Sequence, residues 1–261
     1  MPAPPAAWRV ERPDAQPVPD ALAMSEALLG GTGDAECSAG AHHAQPSPTA
    51  QREPVLVVHR VSPAAITVGR AQRGDVDPGA ARAEGLEVVL RPSGGGPVLW
   101  DDDLIAIDVI LPAGHPLLPV DVVEAYRWVG EGVAHALEGL GVTGARALPP
   151  AEAREWPCGA AAAMCFGGLS PWEVVVGQRK VLGLSQVRRT AGAIIQVGVP
   201  MRLDAARLAR AVGAPAEAAD DLRARTAGIG DLAPGVSPDD VEGAIVGALL
   251  ACGPGARPGR R

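Results

Sequence analysis

Residues 173–200 read EVVVGQRKVLGLSQVRRTAGAIIQVGVP. Apolar runs follow one another here, with a Gly-Gln pair between the first two. A two-residue turn joins only antiparallel neighbours, because parallel strands need a long crossover. Residues 172–186 therefore read as a hairpin and 192–200 as a third strand. Elsewhere strand and helix signals alternate. Residues 54–60, 64–70, 86–91 and 104–112 read as strands, the last with a polar Asp108 inside it. Helical spacing appears over 20–29, with Asp20 as N-cap, and over 77–85, stopped by Gly85. It also runs over 120–141, stopped by Gly141, and near 204–212 and 238–251. Hairpins mixed with helices give an α+β fold, a mixed or antiparallel sheet flanked by helices, and not a doubly wound parallel sheet.

The chain has 261 residues, 47% of them hydrophobic, enough for a sizeable core. Residues 1–252 read as one domain. A Gly/Ala/Ser/Pro-rich stretch over 30–53 reads as a flexible loop, and 253–261 as a disordered tail. His42 and His43 in that loop lack further ligands at metal-binding spacing. The net charge of −7 and the scattered basic residues argue against nucleic acid or an anionic membrane as partner. No apolar run reaches the ~20 residues that cross a bilayer. The N-terminus lacks the charged and apolar regions of a signal peptide. Four cysteines without a CxxC pair fit a reduced, cytoplasmic protein.

Three segments carry chemistry-bearing residues. Lys180 is the only lysine among 23 basic residues. In a chain that otherwise uses arginine, a retained lysine marks a place where a compact ammonium is needed. If 179–186 is one strand, Lys180 shares a face with Leu182 and needs a counter-ion or an anionic ligand there. Gly183 beside it permits close approach of a ligand or strand. Cys165 sits in AAAMCFGGLSPWE, where it is either a small core residue or a nucleophile activated by a nearby cation. The run RPSGGGPVLW (91–100) lacks both the P-loop pattern and a following helix. Two readings stand for it: a flexible turn, or a backbone cradle for an anion assisted by Arg91 and Ser93.

Taken in order, these segments resemble a known family. RPSGGGPVLWDDD is similar to the RRSGGGAVFHD motif of lipoate-protein ligase A. EVVVGQRKVLGLSQ resembles that family's strand–turn–lysine motif. WRVERPDAQPVPDALAMSEALL resembles its opening strand and helix, and HRVSPAAITVGRAQ its RWSPPTVSLGRFQ stretch. The resemblance spans roughly residues 8–250. It implies the biotin/lipoyl protein ligase catalytic fold, related to class II synthetases. It also implies transfer of a lipoyl or octanoyl group, through an acyl-adenylate, to a lysine of a lipoyl carrier domain. Such carriers are the E2 component of 2-oxoacid dehydrogenases and the glycine-cleavage H protein. Carried over by position, Arg70, Arg91, Ser93, Gly94, Gly95, Gly96, Gly183 and Ser185 bind substrate. Lys180 meets the reacting carbonyl, and ATP and Mg²⁺ are the cofactors, with Glu173 as the Mg²⁺ carboxylate.

The resemblance has departures. Pro92 stands for the motif's second arginine, Trp100 for its histidine, and Trp172-Glu173 for the Asn-Asp pair before the lysine. MCFGGLSPWEVVVGQRK also resembles the cysteine segment of the octanoyltransferases, in which that cysteine carries the acyl group. This implies a second route, with Cys165 as nucleophile, an acyl carrier protein as donor and no cofactor. A third alternative is a non-catalytic acyl-binding homologue.

Overall fold

The structure, a computed structural model, describes residues 8–30, 53–157 and 159–252. The chain runs β1 (Arg9–Glu11), α1 (Val18–Gly30), β2 (Val55–His59), β3 (Ala65–Gly69), α2 (Pro78–Ala83), β4 (Glu87–Arg91), β5 (Val98–Trp100) and β6 (Leu104–Pro112). It continues through α3 (Arg127–Gly139), β7 (Ala145–Ala147), α4 (Pro150–Arg154), β8 (Val174–Val176), β9 (Arg179–Lys180), β10 (Gly183–Arg189) and β11 (Gly192–Pro200). The helices α5 (Ala205–Val212), α6 (Ala216–Arg225), α7 (Ile229–Leu232) and α8 (Pro238–Ala251) finish it. The expected loop over 30–53 and the tail over 253–261 lie, but for residues 30 and 53, outside the described residues. So do Cys37, His42, His43 and Cys158. Among the described residues, no helix is long and apolar enough to cross a membrane.

Five strands form the main sheet in the order β1-β2-β6-β11-β10. β1 and β2 are parallel, and the other pairs are antiparallel. Strand β6 shows why the sheet is buried on both faces. Its odd-numbered positions Ile105, Ile107, Val109 and Leu111 join one core with α3 and α8. Its even-numbered positions Ala106, Asp108 and Ile110 point to the other face. There Ile110 packs with Val55, Val57, Ile194, Val187 and Leu29 of α1. Two three-stranded sheets complete the α+β fold, β4-β3-β5 and β7-β8-β9. The first encloses a core with α2, α5 and α6 that includes Trp100, Met164 and Phe166.

Several boundaries differ from the sequence expectation for local reasons. The helix expected over 120–141 begins as a 3-10 turn at Glu124–Tyr126 and becomes α3 only at Arg127. The Asp121 side chain accepts from the Val123 and Glu124 N–H groups, and Arg188 holds the carbonyls of Pro119 and Val120 outside any helix. α1 starts at Val18, so Asp20 lies within its first turn and does not cap it. The hairpin turn at Gly177-Gln178 is present, with Val176 opposite Arg179. Residues 179–186, however, are not one strand. β9 ends at Lys180, and after two residues the chain joins the main sheet as β10. This switch between sheets turns Lys180 into the space between them. Helix α6, unmarked by apolar periodicity in the sequence, supports that region from behind.

α8 opens with a capping box. Ser237 Oγ accepts from the Asp240 N–H, and the Asp240 carboxylate accepts from the Ser237 N–H. Replacing Ser237 by Ala removes the acceptor and orphans one amide. Ser237→Ala should cost about 1 kcal/mol, read as a lower urea midpoint with unchanged slope.

Candidate active site

Among the described residues Lys180 is the largest fully buried side chain, 2% exposed. Its three N–H groups each have an acceptor. Nζ lies 2.7 Å from Glu173 Oε2 and donates to the carbonyls of Cys165 at 2.8 Å and Gly168 at 3.0 Å. The Phe166 ring centroid is 5.4 Å from the ammonium. Glu173 is equally occupied. Its Oε2 also accepts from the Ser170 N–H and its Oε1 from the Leu184 N–H. Burial pushes the Glu173 carboxyl above the ordinary carboxylate range, and Lys180 with the two backbone amides pulls it back. The pair thus ties the switch between β9 and β10 to the segment 165–170.

That segment has further anchors. Cys165 N–H donates to Pro97 O, and Thr226 Oγ1 donates to Phe166 O. At its start, Asp221 of α6 accepts from the Ala161 N–H at 2.9 Å and from Arg225 at 2.7 Å. Those two donors hold the Asp221 carboxyl below its ordinary value. Trp172, just before Glu173, adopts φ 67°, in the left-handed region. Its indole is buried with Nε1 unpartnered, and Arg127 stacks 5.2 Å from its centroid.

The glycine loop packs against the same segment. A Cβ on Gly96 would lie 1.9 Å from Ala163 O and 3.1 Å from Cys165 N, so only glycine lets the two backbones meet. Gly95 has φ 104°, and a side chain there would strike Arg91. Arg91, 3% exposed, spends all five of its N–H groups on the protein. Nε and Nη2 donate to Gly94 O, Nη2 also to Gly96 O, and Nη1 to the carbonyl and hydroxyl of Thr67. Burial lowers its pKa from the ordinary guanidinium value, and Cys165 opposes that shift. Its acceptors are neutral oxygens, so the guanidinium brings uncompensated positive charge close to the thiol.

A narrow cavity opens between these layers. Arg91, Thr67, Trp100, Cys165, Phe166 and Gly183 border it, together with Ala106, Asp108, Ser185, Gln196 and Gly198 of the main sheet. The structure therefore brings Arg91, Cys165, Gly183 and Ser185 to one cavity. Lys180 lies one layer behind it, holding the Cys165 carbonyl. Ser93 donates to Gln196 and lies beside Ser185. The loop formed by Gly94, Gly95 and Gly96 turns two of its carbonyls to Arg91 and stands outside the cavity lining. Arg70 is exposed at a 3-10 turn and does not join the site. Glu173 does not fit a Mg²⁺ ligand, since both oxygens are occupied. Among the described residues, no three His, Cys, Asp or Glu side chains cluster to hold a metal.

The sequence alone did not mark a second buried group beside the cavity. His59 Nε2 lies 3.1 Å from Asp108 Oδ2 and 3.2 Å from Ser25 Oγ, all three residues being at most 2% exposed. His59 Nδ1 has no partner. The His59 ring lies 6.1 Å from Trp100, centroid to centroid. A polar residue within the apolar run 104–112 was its only signal.

Comparison with known proteins agrees with this architecture. Residues 41–250 match the family model for the lipoyl protein ligase A/B catalytic domain. The octanoyltransferase LipM of an Exiguobacterium strain is 38% identical over 156 residues, covering 58% of this chain and 56% of that protein. LipM of Exiguobacterium sibiricum is 33% identical over 191 residues, covering 72% and 63%. The chain thus spans less than two thirds of the length of either relative. Two solved structures share the fold. A lipoate-protein ligase A bound with ATP superposes with a TM-score of 0.66 at 18% identity, over 93% of this chain and 84% of that one. A bipartite lipoate protein ligase from Thermoplasma acidophilum, studied with its E2 lipoyl domain, gives 0.66 at 18% identity, over 94% and 82%.

Two outcomes test the anchoring. Glu173→Gln keeps the shape but strands the buried ammonium, and should cost about 3–5 kcal/mol in urea unfolding. Asp221 has a depressed folded pKa, so its contribution is present above the unfolded carboxyl value and is lost as pH falls through the folded one. The melting-temperature gap between wild type and Asp221→Asn should therefore be full near neutrality and close in acid.

Proposed function

The chain belongs to the lipoyl protein ligase A/B catalytic-domain family, and on that premise we propose that it is an octanoyl or lipoyl transferase using Cys165 as nucleophile. The donor is an acyl thioester on an acyl carrier protein. The acceptor is a lysine of a lipoyl carrier domain, such as an E2 component or an H protein. The observation that carries this reading is the position of Cys165. It is half-buried at the cavity, beside the Arg91 guanidinium, with its own carbonyl held by Lys180.

The chemistry follows from that placement. The Cys165 sulfur attacks the donor carbonyl carbon, a new C–S bond forms, and the carrier's C–S bond breaks. The thiol proton leaves with the carrier sulfur. The lysine amine then attacks the Cys165 thioester, the amide bond forms, and the Cys165 sulfur departs and recovers a proton from the amine. The tetrahedral oxyanion is negative, and the buried cation Arg91 favours it without moving. Lys180 acts as a positioning residue through the Cys165 carbonyl, its own charge being answered by Glu173. The adenylate route needs Mg²⁺, and the occupied oxygens of Glu173 weigh against it.

Mass spectrometry of the intact protein tests the proposal. Incubation with octanoyl-acyl carrier protein should add one octanoyl group at Cys165, discharged by a lipoyl domain, and Cys165→Ala should abolish the adduct. Undiminished lipoate-dependent ATP–pyrophosphate exchange in Cys165→Ala, with no adduct in wild type, would establish the ligase route instead.

A further inference from the structure

We infer that the side-chain amide of Gln196 is a catalytic hydrogen-bond donor, holding the oxyanion formed when the Cys165 sulfur adds to a thioester carbonyl. Ser93 and Ser185 are the positioning residues that aim it. The inference rests on the Cys165 thioester reading and adds a group that reading lacks. A developing oxyanion is stabilised by an aimed N–H group as well as by charge. Arg91 brings charge, but its N–H groups already end on Thr67, Gly94 and Gly96. Those of Lys180 end on Glu173, Cys165 and Gly168. Neither cation has an N–H left for a substrate oxygen.

Gln196 lies in β11, is 9% exposed and borders the cavity. Strand register sets where it stands. Gly183 of β10 is opposite Gly198, and Ser185 is opposite Gln196. Gln196 is therefore the diagonal neighbour of Gly183 on the cavity face, about 7–8 Å away, a span that long side chains cross. Gly183 is the position beside the thiol, since a Cβ built there would lie 3.5 Å from Cys165 Sγ. Gly183 and Gly198 put no side chain in the way.

Two hydroxyls orient the amide. Ser93 Oγ donates to Gln196 Oε1 at 2.5 Å, a length found for O–H···O bonds and too short for N–H···O. Ser185 Oγ lies 3.1 Å from the same oxygen. Oε1 is thereby fixed to the serines, and Nε2, with two N–H groups, makes no hydrogen bond to any described residue. A buried donor without a partner costs stability, and a substrate oxygen in the cavity would satisfy it. Asp108, opposite Gln196 on β6, is one strand farther from the thiol, and its Oδ2 lies 3.1 Å from His59 Nε2. As the new C–S bond forms, the carbonyl π pair moves onto oxygen and Gln196 donates to it. When the carrier's C–S bond breaks, the pair returns and the carrier sulfur leaves with the thiol proton.

The full chain is acylated with octanoyl-acyl carrier protein and, in parallel, alkylated with iodoacetamide. Alkylation is a displacement at saturated carbon and forms no oxyanion. Both reactions are followed at the Cys165 peptide by mass spectrometry. Gln196→Ala should slow acylation about a hundred-fold at saturating donor, with the half-saturating concentration little changed and alkylation at the wild-type rate. Gln196→Glu is nearly isosteric, keeps an acceptor for both serines and removes the N–H, so it should slow acylation as well. Ser93→Ala frees the amide to turn. It should slow acylation less than Gln196→Ala does, and add nothing in the Gln196→Ala background. Wild-type acylation in either Gln196 variant, or equal slowing of acylation and alkylation, would overturn the donor role. No acyl adduct in wild type would instead overturn the thioester reading on which the inference rests.

Discussion

One buried ammonium organises the site. Lys180 is buried away from solvent, so each of its three N–H groups must end on an oxygen, and one oxygen must carry charge. Glu173 supplies the charge, and the carbonyls of Cys165 and Gly168 supply the rest. Satisfying the ammonium therefore fixes where the cysteine segment sits. The chain's crossing from one sheet to another at Val181-Leu182 is what delivers the lysine to that place. Arginine would not serve, because a planar fork cannot converge on three acceptors gathered around one nitrogen.

Arg91 plays the complementary part from the other side. Its hydrogen-bonding capacity is exhausted inside the protein, yet its charge has no carboxylate to answer it. It works as a fixed field source, with the glycine loop as its mount. The three glycines supply carbonyls to Arg91 and let the loop touch the cysteine segment backbone to backbone. The Arg91 charge is thus held in a fixed place near the Cys165 thiol.

Much of this was legible in the sequence, and the failures have a common cause. The single lysine, the cysteine beside the only phenylalanine, and the glycine run each stood out by local rarity. The α+β class followed from local periodicity and turns. Partner identity was not legible. Glu173 looked like a metal ligand because a carboxylate before a lysine fits both roles, and only the fold shows its oxygens already bonded. Arg91 looked like a ligand donor because its acceptors lie on a loop and on strand β3, 24 residues away in the case of Thr67. His59, Asp108 and Ser25 are far apart in the chain, and only the register of β2 against β6 unites them. Asp221 gave no signal, since α6 is mostly polar with three buried residues.

The sole lysine has a consequence of another kind. A protein thioester is a standing electrophile, and the nearest amine ordinarily decides its fate. Here every surface cation of the side chains is a guanidinium, far too weakly nucleophilic at neutral pH to compete, and the one ε-amine is buried with all three of its protons engaged. If Cys165 carries an acyl group as proposed, no lysine of the chain is free to intercept it, and self-modification at lysine is suppressed by composition as much as by geometry.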